Sequence, residues 1–264
     1  MKTLFLLFAL VFSASALVAE SPPQVQDFDQ DVAEKLGRQI YEQDVISWVA
    51  TDVLFAQELD LSQYPIRGWV VEEGEEGATV TFVGIEGSEE PFAIFEIRLE
   101  EVSEPIFRKR EDRSLTESQL ARFRARNLAL DAIEKPCSER YNPVVLEHPT
   151  EDAFLVYALA ATTDPDAVPV GGHYRFSISK DGKTLLRSER LSASCLTLDK
   201  TPEDMPPGAS ISALTMSHIV SERPLEVHVF LSLLHEMDFY VIAEKAVIWR
   251  ISEGKMRRVV ADSE

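Results

Sequence analysis

Apolar residues recur every four positions at Phe28, Val32, Leu36 and Ile40, then continue at Val45, Trp48 and Val49. That period belongs to one face of a helix, and it predicts a helix over residues 27–57, either unbroken or divided near residues 44–47. The period then falls to two. Residues 68–72, 78–85 and 91–102 are rich in β-branched and aromatic side chains, and acidic, glycine-containing turns separate them. In the third run Ala93, Phe95, Ile97 and Leu99 alternate with Glu96, Arg98 and Glu100, so one face is apolar and the other faces water. Three antiparallel strands in a meander are the simplest arrangement.

A polar linker over residues 108–113 leads to Ser114 and Glu117, which have capping-box spacing. The helix that follows is predicted to run to about residue 135 and to stop at Pro136. Its stripe is Leu120, Phe123, Leu130 and Ile133 with Ala129 and Ala132 beside them, and Arg122 and Arg126 lie away from it. Further strands are predicted at residues 142–146, 153–162, 174–180, 184–192, 226–234, 239–244 and 246–251. Asp181-Gly182 has the composition of a two-residue hairpin turn. Residues 198–208 read as a loop, residues 211–219 as a short helix, and the charged tail after Lys255 as frayed.

The fold class is therefore α+β: an N-terminal helix with a three-stranded antiparallel meander, then a second helix followed by a larger antiparallel sheet. Alternating βαβ units are not apparent. The boundaries are 1–19, 20–113 and 114–264. The last two segments are either duplicated halves or one continuous domain.

Residues 1–19 carry Lys2, an apolar run over 4–12 and small residues up to Ala19, the pattern of a secretory signal peptide cut after Ala16 or Ala19. The run is shorter than the roughly 20 residues a membrane-spanning helix needs, so no transmembrane anchor is expected after cleavage and the mature chain is placed in the periplasm or outside the cell. Cys137 and Cys195 are the only cysteines. In an exported chain an even count reads as a disulfide, here with only one possible pairing.

Composition adds a net charge of −19, with 45 acids against 26 bases. An excess of that sign excludes an ordinary nucleic-acid binder, whose affinity comes from cations neutralising phosphates. The excess is local: residues 20–105 hold 21 acids and 4 bases, whereas residues 106–126 hold 3 acids and 7 bases. The basic stretch is a candidate to lie against the acidic strands before it.

Several patterns approach a catalytic or metal motif and fail. Asp27-Phe28-Asp29-Gln30-Asp31 starts like a calcium loop but has Val32 at the turn and Arg38 at the bidentate position. His235-Glu236 starts like a zinc-protease helix but meets Phe239 where the second histidine belongs. Gly208-Ala209-Ser210-Ile211-Ser212 lacks the closing glycine of a nucleophile elbow. No cofactor and no metal are implied. If residues 226–234 form a strand, His228 and His235 face opposite sides of it.

The most unusual segment is Val170-Gly171-Gly172-His173-Tyr174-Arg175-Phe176. A glycine pair lets backbone approach closely, and alternation places His173 and Arg175 on one face with Tyr174 and Phe176 on the other. The candidate binding residues are His173, Tyr174, Arg175 and His228. Two functions compete. One is a non-catalytic module that binds a protein or small-molecule ligand through the sheet of the second half. The other is a hydrolase whose dispersed site uses His173, Arg175 and a later histidine.

Overall fold

The computed structural model describes residues 25–259 apart from 88–89, 101–102, 203–204 and 207. The expected signal peptide lies outside the described residues. Helix α1 (Gln30–Phe55) runs without a break through residues 44–47, because nothing between Glu42 and Trp48 interrupts a helix. Its 26 residues reach about 39 Å, long enough to serve two cores. Phe28, just before it, and Ala33, Leu36 and Ile40 enter a large core with the C-terminal half of the chain. Ala50 and Leu54 enter a second core against the first sheet.

That sheet contains β1 (Ile66–Gly74), β2 (Gly77–Gly84), β3 (Phe92–Glu100) and β4 (Ile106–Lys109), paired antiparallel in sequence order. The meander therefore has a fourth strand where part of a polar linker was expected. Its alternation was obscured by Arg108 and Lys109, which are exposed on an edge strand. Basic residues of this stretch do meet earlier acids: Arg110 lies 2.6 Å from Glu96, Arg113 3.3 Å from Glu86 and Arg124 3.5 Å from Glu90.

Helix α2 (Glu117–Asp131) is capped by Thr116, whose hydroxyl accepts from the Gln119 amide while the Gln119 side chain accepts from the Thr116 amide. The capping box thus sits two residues later than the Ser114–Glu117 spacing suggested, and the helix stops before the expected residue 135. Ala121, Ala125 and Ala129 pack on the second sheet and Phe123 on the first. Small residues bring α2 close to one sheet, so the buried stripe differs from the leucine-rich one expected. Arg126 is buried as well.

The second sheet contains β5 (Tyr141–Glu147), β6 (Ala153–Ala160), β8 (Tyr174–Ser179) and β9 (Leu185–Arg190), all antiparallel. A small ribbon pairs β7 (Ala167–Pro169) with β10 (Thr197–Asp199); β10 overlaps the start of the expected loop over residues 198–208. The β8–β9 connection spans residues 180–184, longer than a two-residue turn, and Gly182 adopts φ +73° there. Every residue of β6 is buried. Phe154, Val156 and Ala158 face α2, whereas Leu155, Tyr157 and Leu159 face the large core.

The remaining elements form a third sheet, so the larger sheet of the second half is in fact two. Strand β11 (Ala213–Ser217) is followed by α3 (Glu226–Leu234), β12 (Asp238–Ile242), β13 (Ile248–Ser252) and β14 (Lys255–Arg258). Strands β11 and β12 are parallel and α3 joins them, a βαβ unit inside an otherwise antiparallel architecture. Three expectations are corrected here. Residues 226–234 are a helix instead of a strand, residues 211–219 contain a strand instead of a helix, and the tail begins with a paired strand.

The physical reasons differ. Seven consecutive residues of α3, from Glu226 to Ser232, are buried between α1 and the third sheet, so no polar face marks a helical period. In β11, Leu214 and Met216 are buried and Thr215 and Ser217 exposed. That is strand alternation written in residues equally at home in helices.

Candidate functional site

Of the sequence candidates, Arg175 joins a buried polar cluster set against the large core. Tyr157 of β6, Arg175 of β8 and Glu189 of β9 lie directly opposite one another in register, forming a polar row across three strands. Helix α3 brings Glu226 over this row from its first turn, and the segment before α1 brings Gln26 and Phe28. The Arg175 Nε donates to Glu189 Oε2 at 2.8 Å, Nη1 to Glu226 Oε1 at 2.5 Å and Nη2 to the Gln26 carbonyl at 2.5 Å. The Tyr157 hydroxyl also donates to Glu226 Oε1, at 2.9 Å, and the Phe28 ring centroid lies 4.8 Å from the guanidinium.

None of these side chains reaches solvent appreciably. Burial lowers the pKa of Arg175, but Glu226, Tyr157 and Glu189 outweigh it and raise the pKa overall, so the guanidinium stays charged. Burial and the neighbouring Glu226 push the Tyr157 hydroxyl well above its usual value, so it remains a donor. Glu226 Oε2 is buried without a partner. Such a cluster contributes less to net stability than its bonds suggest, because desolvation offsets the attraction. Removing one partner costs about 3–5 kcal/mol.

His173 and Tyr174 are not part of this cluster. His173 Nδ1 accepts from the Ala160 amide at 3.0 Å, and its Nε2 donates to the Pro169 carbonyl at 2.8 Å. Both ring nitrogens are thus engaged, and burial lowers its pKa to about 4. Tyr174 packs against Phe176 on the α2 side and donates to the Lys135 carbonyl at 2.7 Å. The sharing of faces read from alternation holds, but neither face opens on a pocket. Gly172 has φ +89°, and a Cβ there would lie 2.3 Å from Cys137 Cβ. The glycine pair therefore serves close passage of the Cys137–Cys195 disulfide.

On α3 the earlier strand parity does not apply to His228, which stacks edge-on against His218 with ring centroids 4.7 Å apart. His228 Nδ1 accepts from the Leu225 amide at 2.9 Å. Burial, then His218, holds its pKa well below 6.5. His218 borders a cavity of about 610 Å³ with Asp27, Ser221, Glu222 and Lys245. Its Nε2 lies 2.6 Å from Ser221 Oγ, but that hydroxyl donates to the Arg223 carbonyl at 2.6 Å. The imidazole is therefore the donor in this pair, the reverse of a base activating a nucleophile. No group of three or more His, Cys, Asp or Glu side chains among the described residues is placed to hold a metal ion.

Two large apolar side chains of α1 stand out on the surface: Trp48, which the apolar pattern includes, and Phe55, which it does not. Trp48 and Phe55 are 65% and 63% exposed. Seven residues apart on α1, they lie two turns from each other on one face. Between Arg38 and Arg67 the chain has no Lys or Arg, while Glu42, Asp52, Glu58 and Asp60 are exposed. Trp48 falls on the four-residue series from Phe28 and Phe55 off it, so periodicity alone did not mark the pair as exposed. No protein family matches the chain, and no curated protein or solved structure matches it either.

Proposed function

We propose that this chain is an exported, non-catalytic interaction module whose contact face is the Trp48–Phe55 side of α1. The observation that carries the reading is the pair of large exposed aromatics on a helix otherwise committed to two cores. Such a patch on a charged surface is the usual mark of a docking site. In the second sheet, the expected surface, the inner strands β6 and β8 are buried, which removes most of its two faces from contact with a partner. The Cys137–Cys195 bond supports export to an oxidising compartment, periplasmic or secreted. No helix among the described residues is long and apolar enough to cross a membrane.

The occupant we assign is a cationic polypeptide segment with apolar anchors. Aromatics flanked by Asp52 on the helix and by Glu58 just past its end attract basic partners and repel acidic ones, which favours correct pairing and faster encounter. The test is tryptophan fluorescence of the mature protein titrated with an amphipathic Leu/Lys peptide and its Leu/Glu counterpart. The Lys peptide is expected to give saturable binding that weakens with salt, and Trp48→Ser/Phe55→Ser to lose at least tenfold in affinity. Equal binding of both peptides, or an unchanged affinity in the double variant, overturns the proposal. So does concentration-dependent dimerisation through the same face.

A further inference from the structure

Where α1, α2, β1 and β5 meet, two arginines line one small cavity. Arg126 is buried, and its Nη1 donates to Asn127 Oδ1 at 2.7 Å, with the Arg67 carbonyl 3.5 Å away. Its Nε is buried without a partner. Among the described residues no carboxylate lies within ion-pair distance of it. Its other neighbours are the ring faces of Trp69 and Phe123, with centroids at 5.2 and 5.9 Å. One turn earlier, Arg122 donates from Nη1 to the Val145 carbonyl at 3.1 Å and from Nη2 to Glu147 at 2.5 Å. Its Nε is also buried and unpartnered. Both side chains border a cavity of about 10 Å³ whose other walls include Gln43, Trp69, Pro143 and Val145.

We propose that this cavity binds a single halide ion, chloride under physiological conditions, between the guanidiniums of Arg122 and Arg126. Three observations support a monatomic anion. The charge of Arg126 is not balanced by any carboxylate within ion-pair distance among the described residues. Each of the two arginines that line the cavity has an Nε donor buried without an acceptor, and a buried donor without an acceptor is rare. The space holds a single small guest; Gln43 and Trp69 commit N–H donors to Glu73 and Ser47, and Pro143, Val70 and Val71 offer no side-chain donor for the extra oxygens of sulfate or phosphate. Water would satisfy the donors but leave the charge, whereas a halide answers both. Burial lowers the Arg126 pKa to about 10, still charged at neutral pH. This site is independent of the α1 contact face.

The surroundings hold Arg126 in place. A Cβ on Gly68 would lie 2.5 Å from Arg126 Cζ, so Gly68→Ala displaces the guanidinium without removing its charge. The experiment has a crystal arm and a solution arm. Crystals grown with gluconate and soaked in bromide are expected to show one anomalous peak between the Arg122 and Arg126 side chains. Thermal unfolding at constant ionic strength is expected to give a saturable rise in Tm with chloride over gluconate, lost in Arg126→Gln and reduced in Gly68→Ala. If either variant fails to fold, the wild-type measurements still decide. No bromide peak at that position, or equal Tm in the two salts, overturns the proposal. A peak with no chloride dependence in solution marks an adventitious ion only and overturns it too, as does a sulfate in its place.

Discussion

His173, His218 and His228 are kept neutral in the folded chain. Burial brings the pKa of His173 and His218 from 6.5 to about 4 and that of His228 well below 6.5. Between those values the unfolded chain binds protons that the folded chain does not, so stability falls as pH drops from 6.5 towards 4. Asp44 opposes this, because burial raises its pKa from 3.8 to about 6 and the folded chain takes up that proton first. The half-buried His235, also at about 4, adds a smaller share. Urea unfolding is therefore expected to show stability decreasing below pH 6 by about 2 to 3 kcal/mol per pH unit, the weight of two net protons. His218→Phe is expected to flatten that slope by about half. A pH-independent free energy between pH 6.5 and 4.5 would contradict this account. Alternation alone placed His173 and Arg175 on the side away from Tyr174 and Phe176. It could not place their partners: Glu226 and Gln26 reach Arg175 from 51 and 149 positions away in the chain, and no local pattern encodes that meeting.

Helices α1 and α3 pack closely at Gly37, where a Cβ would lie 2.5 Å from Val229 Cβ and 2.7 Å from the Glu226 carbonyl oxygen. Gly37→Ala raises helix propensity by about 1 kcal/mol, but the added methyl must push α3 away, an overpacking cost of about 1–3 kcal/mol. We expect a net loss of stability, read as a lower urea midpoint, and a midpoint above wild type would show that α3 yields freely. The same contact explains why α3 was read as a strand. A helix covered by α1 on one side and a sheet on the other has no water-facing side, and Val227, Val229 and Phe230 then look like a buried strand. Helix α1 and strand β3, each with one solvated side, were readable from their periods.

For the whole molecule, the disulfide ties the turn after α2 to the loop after β9, a separation of 58 residues. Loop-closure entropy assigns such a link about 4 kcal/mol. Cys137→Ser/Cys195→Ser is expected to lower the urea unfolding free energy by that order while retaining the far-ultraviolet circular dichroism of the fold. Loss of less than about 1 kcal/mol would mean that the surrounding core already restricts the unfolded chain or that the bridge is strained. The bridge was readable because two cysteines allow one pairing, and the acidic first half because charge is counted directly. Periodicity likewise placed helices and strands wherever one side meets water, since only a contrast between the two sides leaves a period. Division of the second half into two sheets, the parallel β11–β12 pair, the ionic row at Arg175 and the unbalanced Arg126 arose only when distant segments packed. Their physical cause is the same: once both sides of an element are covered, its neighbours are chosen by shape and charge across the fold, and the local sequence carries no record of which neighbours those are.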